Sequence, residues 1–404
     1  MSVFTPNKIM TAIATIVFTS SVYAADGINS STGYAENYTV TGDEMLLDFD
    51  DVSWNVVNVD TESELEDALE DASAGDKIII APGTYTGNFK LNVGGTKNKP
   101  IWITGKTYLD MPILDGDDYN NGTVLAIDGA DDSDDQGISY IYIEKIEVTN
   151  ARTGISLDQA DYVTIDNVEV YDVGQSGIHL RDGSSYNIVQ DSYVHDTGLY
   201  NVKYGEAIYI GSDYTKWDDT GSSSNTYDPA TDYNQILSNT LGPNVTAEHV
   251  DIKEGSSYAY IIGNTFDAEG MNDIINGGLS FIDFKGNYAE AAYNTGDQNE
   301  NKYFENAFEI NEKSNGWGYN NDIHDNSLSF DDEYYDEDKV SVTLTLALGS
   351  GGSAYSESTT KSISPDHWVV ENNVDDSDYT NQVSDNDRDP DDEDKMYTGD
   401  LTEY

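Results

Sequence analysis

Leu125-Ala126-Ile127-Asp128, Ile155-Ser156-Leu157-Asp158, Ile178-His179-Leu180-Arg181, Ile208-Tyr209-Ile210-Gly211, Val250-Asp251-Ile252-Lys253, Ile282-Asp283-Phe284-Lys285 and Phe308-Glu309-Ile310-Asn311 repeat one pattern, apolar and variable residues in alternation. A period of two puts the aliphatic residues on one side of each strand and the variable ones on the other. The repeats are spaced from 23 residues (156 to 179) to 42 residues (209 to 251). No unit this short buries its apolar face alone, so the units must stack.

Between these strands lie runs of a second kind, at 162–170, 186–194, 234–241, 258–266 and 319–328. Several end in a small polar pair, Asp166-Asn167, Ser238-Asn239, Gly263-Asn264 or Asp325-Asn326, which suits a turn held by an Asn side chain. The pattern predicts an all-β fold, a single-stranded right-handed parallel β-helix, since parallel crossovers are right-handed. Strands of one kind then lie over one another. The variable positions form two outward ladders: Ser156, His179, Tyr209, Asp251, Asp283, Glu309, and beside it Asp158, Arg181, Gly211, Lys253, Lys285, Asn311.

The 404 residues include 76 Asp and Glu against 19 Lys and Arg, a formal net charge of -57, and no Cys. Such a surface repels nucleic acid and anionic membranes, so neither is expected as a partner. Stability must come from core and ladder hydrogen bonding, without disulfides. The 30 Tyr and 35 Gly suit a β-rich chain with many turns and an aromatic surface. Cations are scarce, yet Arg181, Lys253 and Lys285 share one ladder.

Residues 1–24 read as a secretory signal: Lys8 at the start, an apolar run over 9–18, and Val22-Tyr23-Ala24 as the cleavage pattern. The mature chain is expected to be secreted and monomeric. An acidic segment follows over 25–54, the β-helix over 55–374 and an acidic tail over 375–404. Within the β-helix, Thr61 and Glu64 form a capping box that opens a helix over 62–72, with Leu65, Ala68, Leu69 and Ala72 on one stripe. That helix would cap the open N-terminal end of the solenoid. Further strands are expected within 340–348 and 367–370. The extended segment 203–232, with Trp217, is a candidate wall for a binding groove.

Ala74-Gly75-Asp76-Lys77-Ile78-Ile79-Ile80-Ala81-Pro82-Gly83-Thr84-Tyr85 resembles the opening of the pectate-lyase-like right-handed parallel β-helix proteins. The stretch from Ala247-Glu248 to Glu254-Gly255, followed by Asn264-Thr265-Phe266, is similar to the Glu- and Lys-containing strand of the chondroitinase B and alginate lyase group. The resemblance spans residues 55–330 and implies a polysaccharide lyase acting on an anionic polymer. A secreted enzyme of this fold also suits a biofilm exopolysaccharide. The same fold hosts hydrolases, epimerases and adhesins.

β-Elimination removes the proton α to a uronate carboxylate and expels the oxygen at the 4-position. It needs a base and a positive charge against the carboxylate. Arginine keeps its proton, whereas lysine loses it under crowding or burial, so Lys253 is the base candidate. Arg181 and Lys285 suit the grip on the carboxylate. His179, Tyr209 and His249 read as outward substrate contacts, and His179 or Tyr209 could return a proton to the leaving oxygen. The resemblance further implies calcium, with Glu248 carried over by position and Asp251 and Asp283 near enough to join it. Strict alternation turns Glu248 and Glu206 to the core unless a turn resets the parity. The family's Arg-His pair has no counterpart, since the matching strand reads Asp283-Phe284-Lys285-Gly286. An inverting hydrolase using Asp251 and Asp283, a C5-epimerase and a non-catalytic glycan-binding module are the competing readings.

Overall fold

Each alternating repeat forms a strand of one sheet, and the aliphatic residues of these strands are buried. Ile155, Ile178, Ile208, Val250 and Ile282 lie over one another in register, and so do Leu157, Leu180, Ile210, Ile252 and Phe284. The computed structural model describes Phe49 and residues 52–131, 137–217, 227–271, 280–304, 306–314, 316–324 and 326–329. It also describes the strands Thr343–Leu346, Tyr355–Ser358, Val370–Asn372 and Asn381–Val383, and all of these residues fall in the unit Leu47–Asp389. The expected signal at 1–24, nearly all of 25–54 and most of 375–404 lie outside the described residues. Strand Asn381–Val383 falls within the stretch expected as a tail, and it pairs with Asp322–His324.

The chain coils through three parallel sheets of a right-handed β-helix where two were expected. Each run of the second kind is broken into two strands. The run at 162–170 spans Ala160–Asp166 and Glu169–Tyr171, with Asn167 at φ 54 between them. A left-handed residue turns the chain and starts a new face. Ser238 and Gly263 make the same corner at φ 55 and 69.

The residue after that corner is buried, and from Ser192 onward it is polar and builds an internal ladder. Asn239, Asn264, Asn294 and Asn326 stack, with side-chain amide bonds of 3.0, 3.0 and 2.8 Å from one rung to the next. Each acceptor oxygen also takes a backbone N–H of the preceding coil, as in Asn264 N to Asn294 Oδ1 at 2.8 Å. The corner thereby satisfies its own buried polar groups.

Another corner carries Tyr140, Tyr162, Tyr186, Tyr233, Tyr258 and Tyr288, every one at a φ between 54 and 60. Their rings stack with centroids 4.7 to 5.2 Å apart and nearly parallel planes. A left-handed non-glycine residue costs roughly 1–2 kcal/mol, and an aromatic pair returns about 0.5–1.5 kcal/mol beyond burial. The coil spacing therefore makes tyrosine tolerable at a corner that otherwise favours Asn or Gly.

The helix runs over Glu62–Glu70. Thr61 Oγ1 accepts from Glu64 N at 3.3 Å, the first bond of the expected capping box, while Glu64 Oε2 reaches back to accept from Asp60 N at 2.9 Å, one residue before the cap. Leu65 and Leu69 are buried, and the helix packs against Asn55–Val59 and Phe89–Leu91. Strands Thr343–Leu346 and Val370–Asn372 lie inside or at the edge of the two late stretches expected to be extended. No described helix is long and apolar enough to cross a membrane.

Candidate active site

The outward ladder forms as the period predicts. Ser156, His179, Tyr209, Asp251, Asp283 and Glu309 face one another in register, one rung apiece. In the second ladder, backbone bonds from Gly211 N to Leu180 O, Lys253 N to Ile210 O and Lys285 N to Ile252 O keep the same order.

Asp251 stands between the two lysines. Lys253 Nζ lies 2.6 Å from its Oδ2 and Lys285 Nζ 2.8 Å from its Oδ1. Lys285 also reaches Asp283 Oδ2 at 2.5 Å and faces Glu248 Oε1 at 3.9 Å. Asn311 Nδ2 donates to the other oxygen of Asp283 at 2.7 Å. Burial pushes Asp251 up, but the two ammonium groups outweigh it and hold its carboxyl below the usual range. Burial works against the charge on Lys285 as well, and Asp251, Asp283 and Glu248 override it, so its ammonium holds its proton well above the ordinary lysine range.

Glu206 and Glu248 face this cluster. Residues 242–249 lie outside any strand, so the two-residue period applies only from Val250 onward. That reset turns Glu248 outward and His249 inward. His249 is fully buried, with Nε2 2.8 Å from Asp267 O and its ring edge-on to Phe266 and Phe281. The expected substrate contact at His249 is therefore corrected: it is a core residue. Burial lifts Glu206 to about 7, and the Asp251 carboxylate adds to the rise. Burial also lifts Glu248 well above the carboxylate range, with Asp251, Asp283 and Glu206 opposing the relief that Lys285 gives.

Arg181 does not join this cluster. It sits two rungs from Lys253 with Gly211 between, and its Nε lies 2.9 Å from Asp158 Oδ1. Ladder order alone had placed three cations in line; the glycine rung separates one from the other two. His179 Nε2 is 2.9 Å from Gly211 O, and its ring contacts that of Tyr209 at 4.4 Å. Burial, with Arg181 adding to it, drives His179 down to about 3. Burial, with Asp251 and Glu206 adding to it, drives the Tyr209 hydroxyl well above 10. Lys253 Nζ lies 5.1 Å from the Tyr209 ring centre.

The described part of the long insertion packs against the end of the Lys253 strand. Tyr214 N donates to Glu254 Oε1 at 2.8 Å and Trp217 Nε1 to Ser212 O at 2.9 Å. Gly255, at φ 94, leaves space that Pro229 and Trp217 fill; a Cβ there would fall 2.7 and 2.9 Å from them.

Two groups of carboxylates are close enough to hold a cation, Glu206 with Glu248 and Asp251, and Glu248 with Asp283 and Glu309. Their all-oxygen chemistry fits a hard ion such as calcium. The expected trio of Asp251, Asp283 and Glu248 already surrounds the Lys285 ammonium. Glu206 and Glu309 are the members that sequence reasoning left out of that set.

A family model described as Pel9A-like, right-handed β-helix region, matches residues 51–207. The alginate lyase from Paenibacillus sp. str. FPU-7 is 36% identical, with a TM-score of 0.63 over 68% of this chain and 87% of that one. This chain belongs to the pectate-lyase-like β-helix polysaccharide lyases. The pectate lyase Pel9A is 14% identical over 74% of this chain and 77% of its own, with a TM-score of 0.49. The alginate lyase AlyGC is 16% identical over 68% of this chain and 38% of its own, at 0.43. No curated protein matches. In this lyase the hydrolase alternative also meets a geometric objection. Asp251 and Asp283 bind one ammonium, whereas an inverting pair stands roughly 6.5–9.5 Å apart with a water between.

Proposed function

We propose that this lyase cleaves a uronic-acid-containing polysaccharide by β-elimination, with Lys253 as the base. The observation that carries this reading is the inequality of two neighbouring lysines. Lys285 is enclosed by Asp251, Asp283 and Glu248 and its side chain is only 4% exposed. Lys253 has a single carboxylate partner within ion-pair distance and its side chain is 11% exposed. One is fixed among three carboxylates, and the other, held by one, is the lysine we assign as the base.

In this scheme the uronate carboxylate approaches Lys285, whose charge stabilises the enolate that develops. The Lys253 amine takes the proton α to the carboxylate, and the electrons of that C–H bond form the new double bond as the bond to the 4-oxygen breaks. The departing oxygen needs a proton. Tyr209, one rung from Asp251 and kept protonated by its surroundings, is placed to give it. His179, driven down to about 3, is neutral at working pH and suits substrate contact better than proton donation. A cation held by Glu206, Glu248 and Asp251 would supply further neutralisation of the substrate carboxylate.

The 36% identical relative acts on alginate, which makes that polymer the first to test. We read the substrate as extracellular, a biofilm matrix polysaccharide among the candidates, on the strength of the N-terminal signal pattern. The test is to incubate the purified protein with a panel of uronate polymers and follow the ultraviolet absorbance of unsaturated chain ends. New absorbance with one polymer identifies the substrate; shorter chains without absorbance would point to hydrolysis instead.

A further inference from the structure

We propose that Arg181 is a second carboxylate anchor, two sugars away from the uronate that loses its proton, and that this lyase favours polymers carrying carboxylates at that interval. The inference rests on the reading of Lys253 and Lys285 as the reacting centre.

Three observations support it. First, Arg181 and Lys253 occupy one ladder two rungs apart, roughly 10 Å at the usual spacing of paired strands. A 1,4-linked pyranose advances along its chain by about one such spacing. In an extended two-fold chain every second carboxylate points the same way, so a uronate held at Lys253 and Lys285 directs the next like-facing carboxylate to the Arg181 rung.

Second, the rung between them is Gly211, at φ 84, which sends no side chain outward; Ser256 and Lys253 fill the space beside it. A Cβ there would come within 2.5 Å of Ser256 Oγ and 3.1 Å of Lys253 Cβ. No charged side chain of the ladder itself therefore stands on the rung between the two anchors.

Third, the guanidinium is held with donors to spare. Its Nε edge faces Asp158 Oδ1 at 2.9 Å, and its plane lies against Tyr227, ring centre to Cζ 5.7 Å. The Tyr227 segment is pinned in turn, with Asp228 N donating to Asp182 Oδ1 at 2.7 Å. Neither Nη takes part in a hydrogen bond among the described residues, and the side chain is 27% exposed. A guanidinium oriented by one carboxylate and one ring, partly exposed and with its Nη donors unused among the described residues, is suited to a second carboxylate.

The experiment compares kcat/KM for oligouronates of increasing, defined length in the wild type, Arg181→Gln and Arg181→Lys. The wild type should gain about tenfold at the length that first reaches two sugars past the cleaved bond, mainly through KM. Arg181→Gln should lose that step and Arg181→Lys keep part of it, with both variants giving the wild-type circular dichroism spectrum. A step that persists in Arg181→Gln, or an equal loss at every length, overturns the assignment. Absence of unsaturated ends from the wild type at every length overturns instead the β-elimination reading beneath it.

Discussion

Lys253 and Lys285, one rung apart, share the carboxylate of Asp251, at 2.6 Å to one oxygen and 2.8 Å to the other. The sharing makes the two ammonium groups unequal, because Lys285 has Asp283 and Glu248 as well. Lys253→Ala is therefore expected to lower turnover by between about 10²- and 10⁴-fold while polymer binding survives. Lys253→Arg keeps the charge and should be nearly as damaging, since arginine holds its proton. Steady-state rates of unsaturated-end formation, beside a binding measurement on the same variants, check both. A Lys253→Arg variant near the wild-type rate would reduce this residue to charge neutralisation.

Removing the Lys285 charge should act on folding as much as on rate. Lys285→Met leaves Asp251 and Asp283 buried without the ammonium between them, and breaking a buried pair of this kind costs about 3–5 kcal/mol. Urea unfolding midpoints should fall accordingly. A midpoint equal to the wild type would show that the carboxylates find another partner.

Chelation separates the two possible neutralising charges. The Lys285 ammonium already stands among Asp251, Asp283 and Glu248, so turnover is expected to survive exhaustive treatment with a chelator. Loss of turnover that added calcium restores would assign the role to an ion at Glu206, Glu248 and Asp251.

His179 and Tyr209 touch, yet their surroundings move them in ways that separate their roles. Tyr209→Phe should lower turnover by about 10²-fold or more, as expected for loss of a general acid. His179→Gln, which retains a donor for Gly211 O, should keep most activity, and the rate profile should show no histidine step near pH 6.5. The stability effect has the opposite emphasis. His179 titrates at about 3 in the folded chain, below its unfolded value, so the unfolded chain binds more protons between those limits. Its contribution is complete above about pH 6.5 and is lost as pH falls toward 3. His179→Gln should flatten the acid limb of a melting-temperature profile; an unchanged limb would mean that His179 protonates without cost.

How far the sequence carries the fold follows from where backbone periodicity holds. The ladder of Ser156, His179, Tyr209, Asp251 and Asp283 was legible because every member lies inside a strand, where a period of two fixes the facing side. The third sheet was hidden, because the left-handed corners at Asn167 and Ser238 interrupt runs that otherwise read as continuous. Glu248 and His249 were exchanged between core and groove for a related reason: they precede Val250, outside any strand, where no period applies. Arg181 was placed on the correct ladder and in the wrong company. The ladder order already set Gly211 between it and Lys253; what residue spacing does not reveal is that its guanidinium pairs with Asp158 and leaves the lysines to each other.

The asparagine ladder gives the last prediction. Asn264 accepts from the backbone and side-chain amides of Asn239 at 2.9 and 3.0 Å. Its own side-chain amide donates to Ile236 O at 2.8 Å and to Asn294 Oδ1 at 3.0 Å. Asn264→Leu fills the space but orphans a buried N–H on one side and a carbonyl on the other, each costing about 1–3 kcal/mol when left unpaired. A loss of roughly 3 kcal/mol or more is expected, read as a lower urea midpoint. Asn264→Ser should cost less, because Ser192 already serves one position of the same column, with its hydroxyl accepting from Val168 N at 3.1 Å and donating to Gln190 O at 2.8 Å. Rates at a saturating substrate concentration should be unchanged in both variants at temperatures where they remain folded, since this corner lies apart from the Lys253 ladder. A Leu variant with a higher midpoint than the Ser variant would show that volume, and not the amide chain, holds the corner together.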